Sequence, residues 1–281
     1  MPLVAARRSV AALLIAGAAM LVPAAPAAAK GLWWTECMDP AKLGAALSQA
    51  CRRAVETGGL SAREQAAAFT NMGIGLAEIG RHGDALTAYD QAVAADPRFA
   101  PVYVNRALSR AARGQMRGVL DDYETAISME PRDVGARLGR GAFHLRRGAA
   151  AAALLDFDAA VRLAPKDADA IYNRGLALSA LSRPREAEAD FTHVLMLFPN
   201  DASAMLERGK ARGAQGLHRA AMADYNGAAN LRPEWPAPQI AKGRALDAVG
   251  DVRAAGQAYL RAFELGARDD WLRAKVQGMG G

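Results

Sequence analysis

The side chains that could carry chemistry are two cysteines, four histidines and a set of regularly spaced aspartates. Cys37 and Cys51 are the only cysteines in the sequence. In an exported protein, an even cysteine count predicts a disulfide, so we expect these two residues to be joined. The alternative is a reactive thiol pair. The spacing disfavours it, because it is not the two-residue gap of a redox motif and no histidine is nearby.

The histidines form no recognisable catalytic or metal site. His82, His144, His193 and His218 lack metal-ligand spacing, and neither a nucleophile motif nor a phosphate-binding loop occurs in the sequence. His144 falls where two helices are expected to meet, which is typical of a packed residue. The sequence therefore predicts a protein that is not an enzyme and that needs no cofactor and no metal.

Four aspartates, each directly before an aromatic residue, are accompanied by an arginine earlier in the chain. We expect each pair to form a structural salt bridge within or between helical hairpins, worth about 1 kcal/mol if exposed and more if partly buried. The alternative is an arginine ladder that binds an acidic ligand. The pairs are Arg106 with Asp122, Arg140 with Asp156, Arg174 with Asp190, and Arg208 with Asp224.

The elements that must position these residues repeat every 34 residues. Each copy has two apolar runs at helical spacing, separated by a turn that carries glycine in five of six copies. Glycine just past a helix end and proline after the second run are helix-ending signals. A fixed period of this length indicates a solenoid of helix–turn–helix hairpins. The prolines that mark the period are Pro97, Pro131, Pro165, Pro199 and Pro233.

Small residues recur where the two helices of a copy must approach each other. In the copy at 168–201 they are Gly175 and Ala187, followed by Phe191, and equivalent residues recur in the other copies. This pattern resembles the tetratricopeptide repeat, in an exported bacterial protein, although the tryptophan common early in that motif is replaced here. The resemblance implies an all-α, right-handed superhelical solenoid. It covers residues 66–267 in six copies: 66–99, 100–133, 134–167, 168–201, 202–235 and 236–267.

The resemblance also implies a concave groove lined by first-helix residues. At those places the chain carries mostly apolar groups and a few amides, which suit an extended or helical protein segment with hydrophobic anchors. The groups needed to clamp a terminal carboxylate are absent. We expect Tyr172 at the centre; the alternative for each side chain is packing against the adjacent hairpin. The residues are Thr70, Asn71, Ile74, Val104, Asn105, Leu108, Leu138, Leu145, Tyr172, Asn173, Leu176, Leu206 and Ile240.

Residues 1–29 have the order of a secretory signal peptide. Arg7 and Arg8 precede an apolar stretch at 10–22 and a small-residue tail, so the mature protein is expected to begin near Lys30. An uncleaved anchor is disfavoured because the apolar stretch is short for a membrane span. The residues after the arginine pair favour the general export route over the twin-arginine route.

The ends of the array are expected to carry caps. Residues 30–65 contain one helical pattern, at 39–56, which we interpret as a degenerate half-repeat. Residues 268–281 have room for one short amphipathic helix, at 269–277, followed by a frayed tail.

The net charge and the predicted repeat class limit the kinds of partner that we expect. Without Arg7 and Arg8 the chain has 33 basic and 29 acidic residues, a net charge of +4, and these charges are scattered. Nucleic-acid binding is therefore not expected. We predict a protein- or peptide-binding scaffold of the bacterial cell envelope, exported to the periplasm. The alternative is a structural subunit that docks an envelope complex or self-associates through its edges or caps. Membrane contact is expected only if the signal segment stays uncleaved, and the oligomeric state is left open.

Overall fold

The computed structural model describes residues 31–277, and within them every regular element is an α-helix. The predicted all-α class, built from helix–turn–helix hairpins, is confirmed. The predicted signal peptide, the start near Lys30 and the last four residues lie outside the described part of the chain. The described residues divide into two compact units, 31–147 and 148–277.

The first unit contains seven helices between residues 31 and 147. They pair in sequence as three hairpins, and the seventh helix follows the third hairpin. One cluster of buried apolar residues extends from Cys37 to Ala136, and a second contains Val119, Tyr123 and Phe143 of α6 and α7. The helices are α1 Gly31–Cys37, α2 Gly44–Thr57, α3 Ala62–Glu78, α4 His82–Ala95, α5 Ala100–Ala112, α6 Val119–Met129 and α7 Val134–Arg146.

The second unit contains eight helices between residues 148 and 277. The first, α8, packs on α9, three hairpins follow, and α15 packs on the last of them. The helices are α8 Ala150–Leu163, α9 Ala168–Ala180, α10 Pro184–Leu197, α11 Ala202–Ala214, α12 His218–Leu231, α13 Ala237–Ala248, α14 Val252–Glu264 and α15 Asp270–Gln277.

Helix ends follow the sequence signals. The Asp167 and Asp201 carboxylates accept hydrogen bonds from backbone N–H groups in the first turns of α9 and α11, which satisfies donors that would otherwise lack a partner. In the turns, Gly216 has φ +78° and the equivalent Ser182 has φ +58°. The one copy without a turn glycine therefore forms the same left-handed turn with a serine, at a conformational cost.

The two helices of a hairpin touch through a glycine and an aromatic ring. A Cβ atom placed on Gly175 would lie 2.8 Å from Cε1 of Phe191, and one on Gly209 would lie 2.6 Å from Cε1 of Tyr225. Phe191 is fully buried. Glycine is required here because any larger side chain would overlap the ring and force the helices apart.

The N-terminal region differs from its prediction. The helix expected at 39–56 spans Gly44–Thr57, and α1 precedes it, so the two form a short hairpin; the interpretation of the region as a degenerate half-repeat stays a prediction. Asp39 accepts a hydrogen bond from the Ala41 N–H and forms a turn with Pro40. This turn separates α1 from α2. The Cys37 and Cys51 sulfurs are bonded across this hairpin, Sγ to Sγ 2.06 Å.

The C-terminal helix α15 covers α14. Leu272 is fully buried, and the Trp271 ring meets the Tyr259 ring edge-on, with their centroids 5.2 Å apart. Lys275 Nζ lies 2.9 Å from an oxygen of Asp247. Among the helices of residues 31–277, none has the length and apolar composition needed to span a membrane.

Candidate binding cleft

Three of the four expected arginine–aspartate pairs are formed, each within a single hairpin. In the first unit, Arg106 donates to both oxygens of Asp122, with the shortest N–O distance 2.7 Å. In the second unit, Arg174 binds Asp190 at 2.6 Å and Arg208 binds Asp224 at 2.6 Å. The partners are sixteen residues apart along the chain, which places them at one level of an antiparallel hairpin.

Two of these arginines also reach the preceding hairpin. Arg106 lies 2.8 Å from Asp90, and Arg174 lies 3.4 Å from Asp158. Both arginines therefore join three helices within their own unit. The hydrogen bonds that Arg174 donates to Asp190 raise the pKa of the Arg174 guanidinium, so this group stays charged throughout the accessible pH range. These ion pairs lie inside the hairpin stacks, which argues against a ladder that offers its charge to a ligand.

The fourth pair remains a prediction. Arg140 belongs to the first unit and Asp156 to the second. Asp156 is almost fully buried, as are Asp122, Asp190 and Asp224.

Six of the residues expected to line the groove are instead buried in the core. Their exposed fractions are 6% or less, so they present little surface to a partner, and their use as groove contacts stays a prediction that their burial disfavours. The others are half-buried. The buried set is Thr70, Ile74, Asn105, Leu138, Tyr172 and Leu206; the half-buried set is Asn71, Val104, Leu108, Leu145, Asn173, Leu176 and Ile240.

The largest departure from the sequence expectation is at Tyr172, the expected centre of the groove. Its side chain is 2% exposed, and its ring centroid lies 5.4 Å from that of Phe191 in an edge-on arrangement. The ring fills the space between α9 and its neighbours, so it stabilises the core and leaves little surface with which to anchor a partner.

The amides expected beside the groove bind backbone carbonyls. Asn105 donates to Pro101 O and Asn173 to Asp169 O, each four residues earlier in its own helix. Asn71 donates to Cys37 O at 3.0 Å, which fastens α3 to the disulfide-linked hairpin. These donors are already used within the protein.

A better candidate site is an open cleft in the second unit, with a volume of about 240 Å³. We call it the α11–α13 cleft. Its floor and walls are mostly small or apolar, and cationic side chains are part of its lining. The lining residues are Lys210 and Gly213 of α11, His218 and Tyr225 of α12, and Ala241, Arg244, Ala245 and Ala248 of α13.

The polar groups of this cleft differ in whether they already have a partner within the protein. Lys210 Nζ lies 2.7 Å from an oxygen of Glu207. Burial raises the pKa of Tyr225 to about 12, so its hydroxyl stays protonated at neutral pH. The Arg244 guanidinium lies 4.9 Å from the centre of the Trp271 ring. The cleft can therefore offer an apolar floor, a neutral phenol and a stacked cation.

The repeat assignment now rests on two comparisons. Residues 168–201, which form the hairpin α9–α10, match the family model of the tetratricopeptide repeat. Solved structures match most of the chain, and one of them is YrrB, a tetratricopeptide-repeat protein with an unusual peptide-binding site. Residues 168–201 are a tetratricopeptide repeat, and the chain has the fold of a tetratricopeptide-repeat protein.

The similar structures are distant in sequence. PilF of Pseudomonas aeruginosa is 19% identical, with 78% of this chain and 98% of that chain covered and a TM-score of 0.64. PilW, a widely conserved type IV pilus biogenesis factor, is 17% identical, with coverages of 77% and 98% and a TM-score of 0.66. YrrB is 19% identical, with coverages of 69% and 99% and a TM-score of 0.56. No curated protein matches the sequence. At these identities the likeness establishes the fold.

The repeat period could have revealed the cleft. Leu176 lies at a predicted groove position, and the same position in the next two repeats is occupied by Lys210 and Arg244. The expectation of an apolar groove leaves out both residues because they are charged, although position in the repeat decides which way a side chain points. Within residues 31–277, no group of three or more histidine, cysteine, aspartate or glutamate side chains could hold a metal ion.

Proposed function

We propose that this repeat protein is an exported, non-catalytic scaffold of the bacterial cell envelope that binds a segment of another protein in the α11–α13 cleft. The observation that carries the proposal is the cleft itself: two successive first helices and one second helix line an open, mostly apolar depression. Concave apolar sites with a few convergent polar groups are the usual form of binding sites.

The comparisons support a binding role and an envelope setting. YrrB has a peptide-binding site, and PilW is a pilus biogenesis factor. Export is supported by the signal-like residues 1–29 and by the Cys37–Cys51 bond, since disulfides persist in oxidising compartments.

Assembly through an edge is a second candidate, favoured by α14. This helix leaves Val252 69% exposed and Leu260 45% exposed near the end of the chain. Sedimentation of the purified protein distinguishes the two functions: self-association that Leu260→Glu abolishes favours assembly, whereas a monomer at micromolar concentration favours the scaffold.

The proposal is tested by filling the cleft. Ala248 is exposed at the cleft surface, so Ala248→Trp should block entry without disturbing the core. The matched control is Leu155→Trp on α8, where the side chain is 72% exposed and lies outside the cleft. Affinity purification from the producing cells should recover a partner with the wild type and the control, but not with Ala248→Trp. Equal recovery with all three proteins would refute the cleft as the binding site.

A further inference from the structure

Arg244 differs from the other cationic side chains that surround it. Its guanidinium stacks on Trp271, and that indole is itself held edge-on by Tyr259. Arg244 forms no ion pair with any residue of the described range 31–277. A stacked guanidinium keeps its N–H edge free, because the contact with the ring uses only its face.

The charges around Arg244 are already paired. Lys210, on the neighbouring first helix, binds Glu207. Asp247, one turn from Arg244 on α13, accepts hydrogen bonds from Tyr259 at 2.8 Å and Lys275 at 2.9 Å. The ordinary reason for an arginine at this position, an internal salt bridge, is therefore absent.

We propose that the α11–α13 cleft recognises an acidic side chain, aspartate or glutamate, in the bound protein segment, with Arg244 as its partner. The inference rests on the proposed function and names the chemistry of the segment. Two parallel N–H groups of the Arg244 guanidinium bind the carboxylate. A small aliphatic side chain beside the acidic residue of the segment covers Ala241, Ala245 and Ala248.

Two physical reasons favour this occupant. First, the paired charges leave Arg244 as an uncompensated cation at the cleft, so an anion is attracted and a second cation is repelled. Second, Trp271 fixes the guanidinium before binding, which reduces the conformational entropy that is lost when a carboxylate is captured. Trp271 is thus a positioning residue for the site.

The test uses the protein purified from its producing cells and a set of labelled heptapeptides capped at both ends. One peptide carries a single glutamate between leucine and alanine residues, its partner carries glutamine in place of the glutamate, and a third is wholly aliphatic. Capping removes the terminal carboxylate, so that only the side chain is probed. We expect the glutamate peptide to bind about tenfold more tightly than the glutamine peptide, with the difference falling as salt is added.

Variants assign the effect to the cleft. Arg244→Gln should abolish the preference for glutamate. Arg244→Lys should retain part of it, because the charge remains while the paired N–H donors of the guanidinium are lost. The control is Arg261→Gln on α14, an exposed arginine paired with Glu264, which should leave the preference unchanged. Circular dichroism checks that each variant keeps its helices.

The outcomes separate the two proposals. Equal binding of the glutamate and glutamine peptides, or equal loss in Arg244→Gln and Arg261→Gln, overturns the acidic preference while the scaffold function stands. If no peptide binds, including the aliphatic one, and Ala248→Trp also leaves partner recovery unchanged, both proposals fail.

Discussion

The Arg174 guanidinium grips the Asp190 carboxylate with two hydrogen bonds, Nε to Oδ2 at 2.8 Å and Nη2 to Oδ1 at 2.6 Å. The Asp190 side chain is 7% exposed and that of Arg174 is 26% exposed. A carboxylate this deeply buried needs its partner, because an unpaired buried charge is strongly destabilising. The pair therefore ties the two helices of the hairpin α9–α10 together.

Removing the two partners should have unequal effects. Arg174→Met leaves the buried Asp190 unpaired and should cost about 3 kcal/mol in the free energy of unfolding. Asp190→Leu should cost less, because Arg174 still reaches Asp158 and solvent. The double variant should recover part of the loss, with a coupling energy of about 1–2 kcal/mol measured by urea unfolding.

The exposed pair Arg183–Glu186 is the control for this cycle. Both side chains are largely in solvent, so its coupling should be only about 0.3 kcal/mol. Strict additivity of Arg174→Met and Asp190→Leu would show that the pair does not contribute as a unit.

Ser182→Gly should stabilise the protein. Ser182 has φ +58°, a left-handed conformation that costs a side-chain-bearing residue more than it costs glycine. We expect a gain of about 0.5–1 kcal/mol, seen as a higher denaturation midpoint. The matched control is Ala189→Gly on the exposed face of α10, which should lower stability by about 1 kcal/mol. A loss of stability in Ser182→Gly would show that the serine side chain holds the turn.

Tyr172→Ala should unfold more readily, because the ring is buried against Phe191. A cavity of this size is expected to cost about 3–5 kcal/mol, measured by urea unfolding of the purified protein. Leu155→Ala, at an exposed position, should cost less than about 0.5 kcal/mol. Unchanged stability in Tyr172→Ala would contradict the core position and revive its role as an anchor.

The sequence predicted the local architecture well because the repeat imposes it. The period placed a hairpin at 168–201, and the structure has α9 and α10 there. The sixteen-residue spacing of Arg174 and Asp190 was sufficient to expect their contact. In these cases the relevant distance lies inside one hairpin, and hairpin geometry follows from helix periodicity and the turn.

The cleft was harder to predict because it depends on packing between hairpins. Tyr172 has the type of a binding residue, yet its ring fills space beside Phe191. The role proposed for Arg244 depends on its stacking on Trp271, which lies in the C-terminal helix α15, where the repeat pattern is absent. The sequence does not predict helix α1, because this helix is only seven residues long and has no periodic apolar pattern.

Reduction of the Cys37–Cys51 bond should loosen the N-terminal hairpin alone. The bond closes a loop whose constraint is worth roughly 3 kcal/mol, and repeats contact mainly their neighbours. With reductant, amide hydrogen exchange should accelerate in α1 and α2 and stay unchanged in α9 to α12. The Cys37→Ser variant should reproduce this without reductant. Faster exchange throughout the chain would mean that the hairpin supports the whole fold.

The central claim, that the α11–α13 cleft binds another protein, is tested most directly by site-specific photocrosslinking in the producing cells. A photoreactive amino acid with a small aliphatic diazirine side chain, too short to fill the cleft as tryptophan would, is placed at Ala248, at the cleft surface, or at Leu155, which is exposed on α8. The account predicts a discrete light-dependent product of higher mass from position 248, and none from position 155. No product from position 248, or the same products from both positions, would contradict it.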